Sequence, residues 1–153
     1  MSNDALELKV KIENKDQNAF PFSLGWHLYF KTEDLQNTYL KIKSSKKLRV
    51  NDKMIPIGEE NHDWNGFVKI EDKAFDDCFV LNSNNAELKT TEYQLEFHFS
   101  TDENYLQIYT PNDRKSIAIE PQTAPANSFN SKIGLQVLKP EETYNLNWKI
   151  DLK

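Results

Sequence analysis

One cysteine, Cys78, stands among the 153 residues, so no disulfide can close within the chain. A chain without that crosslink fits a reducing compartment. No apolar run approaches the roughly 20 residues that a membrane-spanning helix needs. The first stretch, MSNDALELKVK, lacks the hydrophobic region of a signal peptide. The expectation is a cytoplasmic protein with no membrane partner. Positive charge is also in short supply. There are 19 Lys and Arg against 24 Asp and Glu, a net charge of -5, and the two signs are interspersed. A phosphate backbone calls for a basic face, so nucleic acid is not the expected partner. The three histidines show neither i, i+4 nor CxxC-like spacing, so no metal site is expected. There is no glycine-rich phosphate loop and no GxSxG. No stretch of 11 or more residues holds a helical period.

What remains is the period of strands. Leu6, Leu8, Val10 and Ile12 alternate with Glu7, Lys9, Lys11 and Glu13, the pattern of a half-buried strand. Tyr93, Leu95, Phe97 and Phe99 repeat it within Leu88 to Ser100, and Tyr144 to Leu152 repeat it at the end. Tyr105 to Thr110 and Ser116 to Glu120 read as strands joined by PNDRK. Phe67 to Ile70, Phe75 to Leu81 and Leu135 to Leu138 are shorter candidates. Tyr39 to Val50 reads as two short strands or as a strand and a loop. Residues 51–66, with Pro56, Gly58 and Gly66, read as a loop carrying His62 and Trp64. About nine or ten strands result, an all-β chain most consistent with an antiparallel β-sandwich, taken as a single domain over residues 1–153.

The chemistry concentrates in SIAIEPQTAPANSFN, Ser116 to Asn130. Ile117 and Ile119 point to one face of the strand, and Ser116, Ala118 and Glu120 to the other. Glu120 thus follows small residues along its own face, which leaves room in front of the carboxylate. Pro121 pushes Glu120 toward extended backbone, and Pro125 stiffens the exit. A carboxylate on stiff backbone suits a general base; an exposed strand-end Glu is the alternative on pattern alone. His27, in the aromatic stretch after Gly25, reads either as a general acid or as a core histidine. His98 falls on a polar strand face, and Arg114 falls in a turn. Asp76 and Asp77 open a strand, where Asp is usually a turn residue. Cys78 reads as packing.

GWHLYF (Gly25 to Phe30), FDDCF (Phe75 to Phe79) and IAIEPQTAPANSFN (Ile117 to Asn130) together resemble the signatures of the aldose 1-epimerase, or galactose mutarotase-like, family, in the family's order and with similar separations. The resemblance runs from about Leu6 to Leu152 and is to the C-terminal part of family members, which are about twice as long. It implies part of a large antiparallel β-sandwich that interconverts the α and β anomers of a free aldose. Under it, Glu120 is the base, His27 the acid, and Asp76 a ligand of sugar hydroxyls. By their residue type, Trp26, Tyr29 or Phe30 would offer a sugar a stacking face or else pack in the core. No metal or redox cofactor is implied. The arginine and second histidine that the family's N-terminal part supplies have no counterpart among these residues. LKPEETY carries Glu141 where the family commonly has glycine. Three explanations stay open: a fragment, a natural short paralogue, or a chain that completes its sandwich as a homo-oligomer. A non-catalytic carbohydrate-binding domain is the alternative function.

Overall fold

The computed structural model describes residues 4–100 and 104–153. The chain opens with β1 (Ala5–Glu13), β2 (Phe20–Phe22) and β3 (Leu28–Lys31), and a short 3-10 turn at Leu35–Asn37 follows. Two long strands come next, β4 (Tyr39–Val50) and β5 (Pro56–Lys69). Then come β6 (Asp76–Leu81), β7 (Asn85–Lys89), β8 (Gln94–Phe99), β9 (Tyr105–Tyr109) and β10 (Ser116–Gln122). The chain closes with α1 (Ser128–Ser131), β11 (Gln136–Leu138) and β12 (Thr143–Leu152). All pairings are antiparallel. One ten-stranded sheet runs β1-β12-β8-β7-β4-β6-β9-β10-β3 with β5 beside β4, and β11 and β2 form a small second sheet.

The large sheet curls onto itself, and this makes the two layers of the sandwich. Phe97 of β8 meets Phe30 of β3 edge-on, ring centres 5.3 Å apart, although five strands lie between β8 and β3 in the sheet order. Leu146, Trp148 and Ile150 of β12 join Ile117 and Ile119 of β10 in one buried cluster. Those apolar positions are the odd or even members of alternating strands, so one face supplies the main core.

Three expectations are revised. The loop expected over residues 51–66 is confined to residues 51–55, because Pro56 to Gly66 belong to the 14-residue β5. Its alternation is faint because it pairs on one side only, and Trp64 is its one deeply buried side chain. Leu88 to Ser100 is not one strand. Thr90 turns the chain, with its Oγ1 accepting from the backbone N–H of Tyr93 and Glu92. Tyr39 to Val50 is one 12-residue strand that carries a bulge between Ser44 and Lys46. Ser44 Oγ lies 2.7 Å from Lys46 O and 2.8 Å from Val80 O and stitches the irregularity shut.

That bulge has a geometric effect. One extra residue exchanges the faces of a strand. Before it, Leu40 and Ile42 point into the main core. After it, Leu48 packs with Cys78 and Tyr105 on the opposite face of the sheet. The chain from Thr123 to Gly134 covers this second cluster. Gly134, at φ +64, lies so close that an added Cβ would sit 2.9 Å from the Tyr105 ring and 3.0 Å from Thr123 O.

Candidate active site

Four neighbouring strands bring the site together. Cys78 of β6, Gln107 of β9 and Glu120 of β10 are cross-strand partners in register. The pairing of β10 with β3, continued toward the Gly25–Gln122 bridge, sets His27 opposite Glu120. Side chains opposite one another share a face. The row Cys78, Gln107, Glu120, His27 therefore crosses the sheet on the side away from the main core. The row beside it holds Asp76, Tyr109, Ala118 and Tyr29 by the same registers. The small Ala118 is what leaves room between the two tyrosines and in front of Glu120.

His27 Nε2 lies 3.2 Å from Glu120 Oε1, within hydrogen-bond reach. The two side chains differ in exposure. That of His27 is 60% exposed and that of Glu120 only 9%. Burial pushes the Glu120 carboxyl above its ordinary value; His27 draws it back, and the charge of Asp76 adds to the rise. Asp76 is exposed, and its Oδ1 accepts from Gln107 Nε2 at 2.9 Å. Tyr29 stacks on His27 with ring centres 5.1 Å apart, and over half of it is open to solvent. Cys78 does not contribute a nucleophile. Burial, then the nearby Glu120 and Asp77 charges, push its thiol up to about 12.

Of the residues singled out in the sequence, Glu120, His27 and Asp76 share this face. Trp26 does not. Its ring packs against the main core while its backbone N–H donates to Pro121 O at 3.0 Å. The open ring beside the histidine is Tyr29. His62 sits on β5 with its ring 5.2 Å from Phe79, and His98 Nε2 lies 3.1 Å from Asp151 Oδ2; both are remote from Glu120 in the sheet order. Arg114 is bound rather than free, donating to the carbonyls of Lys73 and Glu71. Gln107 was not singled out. Its signal was a lone polar residue within YLQIY, on the face opposite Leu106 and Ile108.

A curled antiparallel β-sandwich with a carboxylate and an imidazole paired on one open face defines the class. The sequence model of the aldose 1-epimerase family matches residues 2–151. The chain belongs to that family. Solved structures share the fold. They include a galactose mutarotase-like protein of Clostridium acetobutylicum (TM-score 0.80, 23% identity, 96% of this chain and 52% of that one). A galactose mutarotase related enzyme of Lactobacillus acidophilus is also similar (0.83, 16%, 100% and 59%). So is the Slr1438 protein of Synechocystis (0.82, 21%, 100% and 52%). The chain thus spans between 52% and 59% of the length of these three. A search of curated protein sequences found no match. Among the described residues, no helix is long and apolar enough to cross a membrane.

Proposed function

We propose that the chain interconverts the anomers of a free aldose by acid–base ring opening, with Glu120 as base and His27 as acid. The observation that carries this reading is the 3.2 Å approach of His27 Nε2 to the buried Glu120 carboxylate on a face that otherwise offers hydroxyl-binding groups. Ionised Glu120 takes the proton of the anomeric hydroxyl. Protonated His27 gives one to the ring oxygen, so the C1–ring oxygen bond breaks as the C1 carbonyl forms. The C1–C2 bond turns, and the ring closes on the other carbonyl face with both protons returned. The reaction needs one proton removed and one added on oxygens a few ångströms apart, and this pair holds both groups at that spacing. Asp76, held by Gln107, accepts from sugar hydroxyls, and Tyr29 offers a flat apolar face.

Polarimetry of freshly dissolved α-galactose and α-glucose tests the roles. Glu120→Gln is expected to lower the catalysed rate by about 10²-fold or more, and His27→Asn comparably. Full rates in both variants would sink the assignment.

A second reading has its own support. The His27 side chain is 60% exposed, an open setting for a group that must protonate a ring oxygen away from water. A carbohydrate-binding domain would show sugar-dependent NMR shifts at Tyr29 and Asp76 with no gain in mutarotation.

A further inference from the structure

The bulge in β4 turns more than Leu48 toward the site face. Val50 follows two residues later on the same face, and there the chain turns back into β5. Asn51 fixes this turn. Its Oδ1 accepts from the N–H of Lys53 (3.0 Å) and of Ile55 (3.1 Å), its N–H donates to Ile55 O (3.0 Å), and its carbonyl accepts from Met54 N–H (2.9 Å). Met54 is held at φ +58, a conformation that a methionine rarely adopts without such support. The effect is to set Val50, Met54 and Pro56 as one wall of a cleft of about 240 Å³. Its other wall is the polar edge of the site: Asp76, Gln107 and Gln122. Gln107 is the cross-strand partner of Glu120 and Gln122 lies two residues beyond Glu120 on β10, so the cleft adjoins the acid–base pair.

The lining carries a carboxylate, two amides and apolar groups, and, among the described residues, no Lys or Arg. Nearby Lys46 is taken up by Glu59, with Nζ 2.6 Å from Oε2. Lys53 is exposed in the turn and does not line the cleft. A phosphate here would be desolvated beside Asp76 with no cation in the described lining, and a hydroxyl turned toward the Val50–Met54–Pro56 wall, away from Asp76, Gln107 and Gln122, would face side chains that cannot bond to it. A methyl group suits that wall. We infer that the Val50–Met54–Pro56 wall selects the exocyclic end of the sugar and makes this a site for neutral aldoses of the 6-deoxyhexose class. The inference rests on the sugar-binding part of the proposed function and extends it to the substrate's far end.

The chain has two methionines, Met1 and Met54. Protein labelled with ¹³C at the methionine methyls therefore gives a direct probe of the wall, assigned by the loss of one signal in Met54→Ser. The unmodified chain is titrated with 6-deoxygalactose, galactose and galactose 6-phosphate, and mutarotation of the first two is followed in the same samples. The expected result is a Met54 methyl shift that saturates with 6-deoxygalactose at about 10-fold lower concentration than with galactose, with no saturation by the phosphate. Val50→Ser and Met54→Ser should bring the two affinities together. Binding of galactose or its phosphate as tight as that of the deoxy sugar overturns the inference, and so does a Met54 signal that stays still with all three. Discrimination at Met54 without any acceleration leaves the cleft assignment standing and removes the catalytic reading. Glu120-dependent acceleration that is equal for both sugars, with Met54 silent, does the reverse.

Discussion

At the scale of single residues, the consequential fact is that Glu120 is a buried carboxylate whose protonation is favoured by burial first and by Asp76 after it, against the pull of His27. Two outcomes follow, with opposite appearance. A base works when ionised, so mutarotation should fall as pH falls through the carboxyl's folded value. That acid limb should lie above the 4.5 of an ordinary Glu. Stability runs the other way. A carboxyl whose folded value is raised contributes stability that is complete below 4.5 and is lost as pH rises through the folded value. Glu120→Gln has no such loss. Relative to the unaltered chain it should therefore gain stability as pH rises across that window and hold the gain above it. Denaturant unfolding at several pH values reads this difference. A Glu120→Gln variant that instead loses ground with rising pH would mean that the His27 contact outweighs burial, and that Glu120 is a structural ion-pair partner.

At the scale of elements, backbone conformation decides which substitutions matter. Gly134 is at φ +64 and lies against Tyr105, Thr123 O and Ala124 Cα. Gly134→Ala adds a left-handed conformation to a contact under 3.0 Å, so a loss of about 1–3 kcal/mol is expected in urea unfolding. The stretch displaced is the one that leads out of β10, so mutarotation should fall with stability. Glu141 makes the contrasting case. It sits at φ +64 in the turn before β12, with its N–H donating to Asn14 O at 3.1 Å. Glu141→Gly keeps that bond and relieves the backbone, so a gain of about 1 kcal/mol is expected. No change in either variant would mean that the turns adjust freely.

The same scale shows how much could be read in advance. The strands with one wet and one dry face, β1, β9 and β12, announce themselves by alternation; β10 is buried on both faces, and Glu120 was legible because Ile117 and Ile119 fix its face. The register also made His27 its partner, which single-strand patterns cannot express. Tyr39 to Val50 misled because the Ser44 bulge moves the apolar residues from one face to the other without a break in the strand. The polar, glycine-bearing β5 misled because a strand with one neighbour keeps its other edge in water. Trp26 and Tyr29 are three apart in sequence and differ in face. A list of aromatics near His27 could not tell the exposed ring from the one in the core.

For the molecule as a whole, the curl of the large sheet is what makes the two layers one body. We propose that the chain unfolds as a single cooperative unit. The support is the placement of the three tryptophans: Trp26 just ahead of β3, Trp64 in β5 and Trp148 in β12. Trp64 and Trp148 lie inside one core cluster, and Trp26 packs against it. Single-tryptophan variants, with Phe at the other two positions, would report each region by fluorescence during urea unfolding. Coincident midpoints and slopes are expected from all three. Phe97→Ala removes the ring that meets Phe30 across the layers, and it should lower all three midpoints together, by about 3–5 kcal/mol in stability. If Trp26 instead released early while Trp148 held, the β3–β10 layer would be a separate unit resting on the other. Glu120 and His27 would then sit on the part of the sheet that opens first. Their 3.2 Å contact would belong to the less stable layer, and the acid–base pair would be set by what binds to that face rather than by the core beneath it.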